Sequence, residues 1–202
     1  MPYDDCHALG GMTPYGWEMD PKRLAFQLAR YRVVARLIEG RFKVLEVGCA
    51  DGWGSRIVRQ HVAHLDAVDV DKRSIEEARD SVSSQWPVRF FVHDIMAAGK
   101  RLRGYDAVYC LDLFEHISDD SRLLKNLRAC APMCVIGTPS IESQRYASDI
   151  SRREHVNCVS KATLRERMCR HWRHVIMLGM NDETLHVGFD AMTHYLIGIG
   201  CN

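Results

Sequence analysis

The sequence has almost no net charge, no long apolar run and no paired-cysteine motif. Its 27 Lys and Arg residues oppose 26 Asp and Glu residues, which gives a formal charge of +1. Binding to nucleic acid through phosphate neutralisation needs an excess of positive charge, so we expect no nucleic-acid partner. No stretch approaches the roughly 18 apolar residues of a membrane span. The first residues, MPYDDCHALGGM, also lack the basic and apolar regions of a secretory signal, and we expect a cytoplasmic protein.

The cysteines are numerous but show no pattern of a disulfide or zinc framework. Eight are present, without a CxxC pair and without Cys/His spacing of the zinc type. We therefore expect free, mostly buried thiols in a reducing compartment, and no metal site. These cysteines are Cys6, Cys49, Cys110, Cys130, Cys134, Cys158, Cys169 and Cys201.

Apolar periodicity predicts one long helix followed by alternating strands and helices. The helix covers DPKRLAFQLARYRVVARLIEG, with Asp20 as the N-cap, Pro21 in the first helical position and Gly40 as the stop. Strand-like runs such as KVLEVG, LDAVDV and YDAVYCL then alternate with helix-like runs as far as CVIGTP. This alternation is typical of an α/β fold, in which helices cover both faces of a parallel sheet.

The stretch VLEVGCADGWGS indicates a ligand site at the end of the first strand. Gly48 and Gly52 allow the backbone to pass close to a ligand, and a helix that begins near Gly54 offers free N–H groups. A dinucleotide would need a GxGxxG motif, but Trp53 would obstruct the approach that the third glycine permits. Glu46 would also repel a pyrophosphate. The stretch therefore favours a ligand with positive charge.

The same stretch resembles motif I of the class I, Rossmann-like S-adenosylmethionine-dependent methyltransferases, in which an acid and one further residue precede GxGxG. Ala50 replaces the middle glycine of that pattern. S-adenosylmethionine carries an ammonium and a sulfonium group, which suits an acidic site. The resemblance implies that this compound is the cofactor. It also implies that motif I contributes these residues to the cofactor site: Glu46, Gly48, Cys49, Ala50 and Gly52.

Further segments resemble other motifs of the family. A carboxylate that accepts both ribose hydroxyls is expected about 20 residues after motif I, and LDAVDV supplies Asp69 for that role. The alternative is that Asp69 only caps the helix entered near Lys72. The YDAVYCLDLFEHI segment resembles the FDxVxxxxxxEHI segment of many small-molecule methyltransferases. The resemblance implies further cofactor contacts from Val70, Asp94, Ile95, Cys110, Leu111 and Arg30, although a solvated helix arginine is the alternative for Arg30.

The resemblance also predicts the architecture. It implies a three-layer α/β/α Rossmann-like sandwich with a mostly parallel, seven-stranded sheet whose last strand runs antiparallel. We interpret residues 1–202 as a single methyltransferase domain. Residues 1–40 would form an N-terminal lid and helix, and the polar stretch 140–160 would form an acceptor-site loop. The aromatic residues of the lid, which could equally be core anchors, are Tyr3, Tyr15 and Trp17.

Methyl transfer is an in-line displacement, so the protein must align the nucleophile and manage its proton. A base of near-neutral pKa suits a hydroxyl acceptor. We therefore predict His155 as the first candidate for a catalytic base and His116 as the second. The alternatives are a surface or structural role for His155 and helix capping by Glu115 and His116.

The absence of two motifs from the sequence restricts the class of acceptor. The sequence has neither the NPPY or DPPY motif of enzymes that methylate adenine amino groups nor the Pro-Cys pair of cytosine C5 enzymes. Together with the small net charge, this predicts a small-molecule or glycan acceptor that is methylated at a hydroxyl. It leaves methylation at nitrogen or carbon open as alternatives, and it also leaves a homodimer open. The competing hypotheses are a catalytically inactive S-adenosylmethionine-binding partner or regulatory protein, and a nucleotide-linked oxidoreductase, which Trp53 disfavours.

Overall fold

A computed structural model describes residues 17–98, 102–188 and 190–202. The strands are β1 (Lys43–Val47), β2 (His64–Asp69), β3 (Arg89–Val92), β4 (Ala107–Leu111), β5 (Met133–Pro139), β6 (His174–Asn181), β7 (Thr184–His186) and β8 (Tyr195–Cys201). The α-helices that connect them are α1 (Pro21–Leu37), α2 (Ser55–Arg59), α3 (Lys72–Asp80), α4 (Asp120–Cys130), α5 (Asp149–Glu154) and α6 (Lys161–Cys169). Short 3₁₀ helices cover Phe114–His116, Ile141–Tyr146 and Asp190–Met192.

The strands form one sheet in the order β3-β2-β1-β4-β5-β8-β6-β7. The first five are parallel, and Glu46 on β1 lies opposite Ala67 on β2 and Tyr109 on β4. Because the carboxyl ends of parallel strands meet at one edge, the loops after β1, β2, β3 and β4 converge there. The fold thus brings the predicted cofactor motifs to a common edge.

The other end of the sheet is antiparallel. β8 pairs antiparallel with both β5 and β6, as the prediction of an antiparallel last strand requires. The predicted mostly parallel α/β architecture is therefore confirmed. The sheet has eight strands where we expected seven, because NDETLHVGFD contributes the short strand β7, which forms an antiparallel hairpin with β6.

Helices cover both faces of the sheet, and each face has its own apolar core. Helices α1, α2 and α3 pack on one face through residues such as Val34, Val58 and Ile75. Helices α4 and α6 pack on the other through residues such as Leu127 and Leu164. Successive strand residues point to opposite faces, which is why neighbours on β1 enter different cores. This is the predicted three-layer arrangement.

The first helix is found where its pattern predicts it. Asp20 is the N-cap of α1 and accepts a hydrogen bond from the backbone N–H of Lys22, at 3.2 Å. Pro21 begins the helix, and Gly40 follows its end with φ of +78°. A left-handed backbone at this position favours glycine, so Gly40 stops the helix for the expected reason.

The polar stretch 140–160 contains more structure than its lack of periodicity suggests. A 3₁₀ helix and α5 lie within it, and each begins after a serine whose hydroxyl caps it, Ser140 and Ser148. Short helices of this kind depend on capping side chains, because they bury too little apolar surface to show a period.

Two findings bear on the absences noted in the sequence. The cysteines that the structure describes are all free thiols, as expected, while Cys6 lies outside the described residues. Within the described ranges, no helix is both long enough and apolar enough to cross a membrane.

Candidate active site

The loop between β1 and α2 has a backbone that turns repeatedly into the left-handed region. Gly48, Ala50 and Gly52 have φ values of +81°, +47° and +69°. Alanine rarely adopts such a conformation, so Ala50 carries strain that a glycine would not. Its N–H donates a hydrogen bond to Oδ2 of Asp69 at 2.9 Å, which holds the loop in this shape.

The glycines of this loop are needed for space as well as for conformation. A Cβ atom on Gly52 would lie 2.4 Å from the ring of buried Phe90, and one on Gly48 would lie 3.3 Å from the side chain of Leu113. The backbone therefore lies directly against β3 and against the segment that follows β4. The sequence predicted a close approach of this backbone to a ligand, and the structure shows that the same glycines also allow it to pack against the protein's own side chains.

Asp69 ends β2 and holds two loops at once. Its Oδ2 accepts the bond from Ala50, and its Oδ1 accepts one from the N–H of Asp71 at 3.0 Å. Asp71, not Asp69, caps helix α3 through the N–H groups of Arg73 and Ser74. The capping alternative for Asp69 is therefore wrong. Each Asp69 oxygen has a second lone pair, which can accept a ligand hydroxyl.

Glu46 is a carboxylate inside the protein, 1% exposed. The hydroxyl of Tyr31 donates to its Oε1 at 3.0 Å, whereas Oε2 has no hydrogen-bond partner in the part of the chain that the structure describes. Burial raises the pKa of Glu46 to about 6, and the hydroxyls of Ser55, Tyr109 and Tyr31 oppose this rise. A buried acid with a free oxygen is suited to a cationic ligand.

The remaining predicted cofactor residues lie at the ends of β2, β3 and β4. Val70 is 64% exposed beside Asp69 and offers an apolar surface. Asp94 is exposed in the turn after β3, where it accepts a hydrogen bond from the N–H of Met96 at 2.7 Å, and Ile95 beside it is buried. Cys110 and Leu111 are buried at the end of β4, and Cys49 is buried in the loop after β1.

Arg30 contacts an acid that the sequence analysis did not single out. Its Nη1 donates to both carboxylate oxygens of Asp112, at 2.9 Å each. Its guanidinium also lies over the ring of Tyr195, 3.9 Å from the centroid. The side chain of Arg30 is 22% exposed, so it is not a solvated helix arginine. Arginine has five N–H donors, and those not used by Asp112 stay available to an anionic group.

Asp112 and Tyr31 are the site residues that the sequence analysis missed. Asp112 follows β4 with φ of +52°, a conformation in which aspartate is tolerated at some cost. The Tyr31 hydroxyl reaches Glu46 because the Glu46 side chain lies on the face of the sheet that α1 covers. The adjacent Arg30-Tyr31 pair and the acid in CLDLFEH were visible signals, but their partners could be assigned only from the packing of α1.

Both predicted catalytic histidines lie beside Glu115. The rings of His116 and His155 meet edge to face with centroids 5.1 Å apart. Nδ1 of His116 lies 3.2 Å from the carbonyl oxygen of Glu154, and Nδ1 of His155 lies 3.0 Å from Oε1 of Gln144. Burial, and then the charge of His116, lowers the pKa of His155. The structure thus joins two candidates that the sequence treated separately.

Glu115 is a second buried acid, 1% exposed. The hydroxyl of Thr138 donates to its Oε2 at 2.9 Å. Burial, followed by the charge of Asp112, raises the pKa of Glu115 to about 8. Glu115 and His116 lie in a 3₁₀ turn, not at the start of an α-helix, so they do not cap one.

The predicted lid falls mostly outside the described residues. Tyr3 and Tyr15 lie there, and Trp17 is 60% exposed, so it is not a core anchor.

Comparison with known proteins agrees with the class that the fold and the loop define. Residues 44–132 match the sequence profile of the methyltransferase domain. This segment runs from β1 to the residue before β5 and contains the whole glycine loop. The resemblance to class I, Rossmann-like S-adenosylmethionine-dependent methyltransferases is thereby confirmed for these residues.

Individual relatives share this domain at low identity. A ubiquinone biosynthesis O-methyltransferase of Coxiella burnetii is 31% identical over 87 residues, 43% of this chain and 37% of that relative. The chain therefore spans about two fifths of the length of the curated relatives it matches. Among solved structures, the methyltransferase domain of bacterial CtHen1-C has a TM-score of 0.69 at 17% identity, covering 88% of this chain and 99% of that one. Magnesium protoporphyrin IX methyltransferase from Synechocystis, with bound SAH, has a TM-score of 0.65 at 16% identity, covering 99% and 91%.

Two glycine-to-alanine variants can separate the effect of steric crowding at Gly52 from the effect of its left-handed backbone. Gly52 and Gly104 both have positive φ, but a Cβ atom on Gly104 would meet nothing within 4 Å. We expect Gly104→Ala to lower the free energy of unfolding by about 1 kcal/mol, from strain alone. Gly52→Ala should lower it by about 2–4 kcal/mol, because overpacking against Phe90 adds to the strain. Urea unfolding followed by circular dichroism measures both, and equal losses would contradict the close approach.

Proposed function

We propose that this protein is an S-adenosylmethionine-dependent methyltransferase that methylates a hydroxyl group of a small-molecule or glycan acceptor. The observation that carries the proposal is the pairing of two acids at one sheet edge. Glu46 offers a buried oxygen without a hydrogen-bond partner in the described ranges, and Asp69 offers both carboxylate oxygens beside the same loop. One acid suits the cationic end of the cofactor and the other suits its ribose.

The residues at the edge fit such a cofactor. When bound, it supplies a methyl group on a positively charged sulfur. Gly48 and Gly52 adopt left-handed turns and pack directly against Leu113 and Phe90, which fixes the shape of the loop that the cofactor would contact. Val70 offers an exposed apolar surface beside Asp69, which suits a flat base. We assign Asp94, Ile95, Cys49, Ala50, Cys110 and Leu111 to the walls of this site, and Arg30 to its carboxylate end.

The acceptor end lies at Glu115 and the two histidines. Leu113, against which Gly48 packs, lies in the same segment as Glu115, so this cluster adjoins the cofactor loop. The lowered pKa keeps His155 neutral near pH 7, and a neutral imidazole can accept the proton of a hydroxyl. The matched relative from Coxiella burnetii is named as an O-methyltransferase, which supports oxygen as the methylated atom.

The first test is calorimetric titration with S-adenosylmethionine, S-adenosylhomocysteine and NAD. We expect only the first two to bind.

The variant Asp69→Asn tests the role of the acid at the end of β2. It keeps an acceptor for the Ala50 N–H but loses one carboxylate oxygen and its charge-assisted bond, so the affinity for S-adenosylmethionine should fall by about 10-fold or more. Asp71→Asn makes the same charge change two residues away and should leave affinity within about 2-fold. Binding of NAD alone would overturn the proposal, and binding without turnover on any acceptor would favour a regulatory partner.

The raised pKa of Glu46 predicts a pH dependence of cofactor binding. Only the ionised carboxylate attracts the cofactor's ammonium, so affinity for S-adenosylhomocysteine should rise about 10-fold from pH 5 to pH 7, through the pKa of about 6. Glu46→Gln should bind weakly at both pH values. An unchanged pH profile in Glu46→Gln would contradict the assignment.

The same carboxyl should make the unliganded protein less stable near neutral pH. Its pKa is higher in the folded state, about 6, than the ordinary value of 4.5, so the folded state binds the proton more tightly. That stabilisation is present below pH 4.5 and is lost as the pH rises through 6. Glu46→Gln should therefore raise the free energy of unfolding at pH 7 by up to about 2 kcal/mol.

A further inference from the structure

We propose that Glu115, His116 and His155 form a binding site for one divalent transition-metal ion beside the acceptor end of the site. One potential ligand atom from each residue lies within 4.8 Å of the others. Metal–ligand bonds to nitrogen and oxygen are about 2.0–2.2 Å long, so atoms around one ion lie about 3–4 Å apart. Small side-chain adjustments bring this cluster to that spacing.

No zinc-type spacing marks this site in the sequence, because its ligands do not all lie close together in the chain. His116 follows Glu115 directly, but His155 comes from the segment after α5. The backbone N–H of Asn157 donates to the carbonyl oxygen of Glu115 at 3.0 Å and joins the two segments. The site therefore exists only in the folded chain.

The hydrogen bonds of the two histidines favour the tautomer that can bind a metal ion. Each Nδ1 lies against an acceptor oxygen, the carbonyl of Glu154 for His116 and the side-chain amide oxygen of Gln144 for His155. An oxygen acceptor favours the tautomer with a proton on Nδ1, which leaves the lone pair of Nε2 free. Histidines that bind metals commonly donate their other N–H in this way.

The third ligand is held in the same manner. Thr138 donates to Oε2 of Glu115, which leaves Oε1 as the coordinating oxygen. Glu115 is buried close to a second acid, Asp112, whose charge Arg30 balances. A bound cation would favour the ionised carboxylate of Glu115 and compensate its charge in this buried position.

Two imidazoles and one carboxylate define the class of ion. This set suits Zn²⁺, Mn²⁺, Fe²⁺ or Co²⁺ better than Mg²⁺ or Ca²⁺, which prefer oxygen ligands alone. Three protein ligands also leave coordination positions open. This step rests on the proposed function: an oxygen of the acceptor would occupy one of the open coordination positions. The ion would lower the pKa of a bound hydroxyl, whose proton would pass to solvent water. With the ion bound, His155 is a ligand, and it serves as the base only in the metal-free site.

The probe is Co²⁺ alone, added to the full chain and followed by its visible absorption and by calorimetry. We expect one equivalent to bind, without the near-ultraviolet charge-transfer band of cysteine ligation. The double variant His116→Gln/His155→Gln should abolish this binding. Gln144→Ala, which removes only the partner of His155, should weaken it by about 10-fold. His174→Gln, an exposed histidine at the start of β6, is the matched control and should bind as the unaltered protein does.

The outcomes separate this proposal from the proposed function. Retained binding of S-adenosylhomocysteine by the double variant shows that it is folded. No Co²⁺ binding to the unaltered protein, or binding that survives in the double variant, would overturn the metal site and leave the methyltransferase proposal standing. Failure of the unaltered protein to bind S-adenosylhomocysteine would instead overturn the proposed function, whether or not Co²⁺ binds.

Discussion

The hydrogen bond from the backbone of Ala50 to Asp69 is the contact on which the proposed cofactor site depends. It joins the loop after β1 to the end of β2, and it holds Ala50 in a left-handed conformation that costs about 1–2 kcal/mol for a residue with a side chain. A carboxylate that accepts a charge-assisted bond offsets much of this strain. The glycines on either side then lie against Phe90 and Leu113, so the shape of the loop is fixed before any ligand arrives.

The two buried acids are a stability cost that the proposed chemistry explains. A carboxylate without full hydrogen bonding is expensive to bury, and both Glu46 and Glu115 have raised pKa values for that reason. Their polar neighbours, Tyr31 and Thr138, each donate to one oxygen, and the second oxygen of Glu46 has no hydrogen-bond partner among the described residues. A fold selected for stability alone would replace both with apolar residues. Each acid is instead suited to a cation, an organic one at Glu46 and a metal ion at Glu115.

The sequence predicted most where the physics is local. The cap of α1 depends on neighbours within a few residues. The glycines of the loop and the acid that ends β2 lie in short motifs whose spacing is visible in the sequence, although their contacts with Phe90, Leu113 and Ala50 are not local. The bond between Arg30 and Asp112 and the meeting of His116 with His155 join residues far apart in the chain. No periodicity records such contacts. Strand β7 was missed because its three residues pair only with β6 and leave no alternation to detect.

The order of the elements along the sheet separates the two acids in a way that fits the two different ligands proposed for them. Glu46 points from β1 toward α1, the face on which Tyr31 lies, whereas Glu115 follows β4 and is enclosed by Thr138 of β5. The segment between them contains Leu113, which packs against Gly48, and Asp112, which binds Arg30 of α1. A molecule held by Glu46 and Asp69 would thus end beside this segment, and an acceptor would approach it from the histidine side.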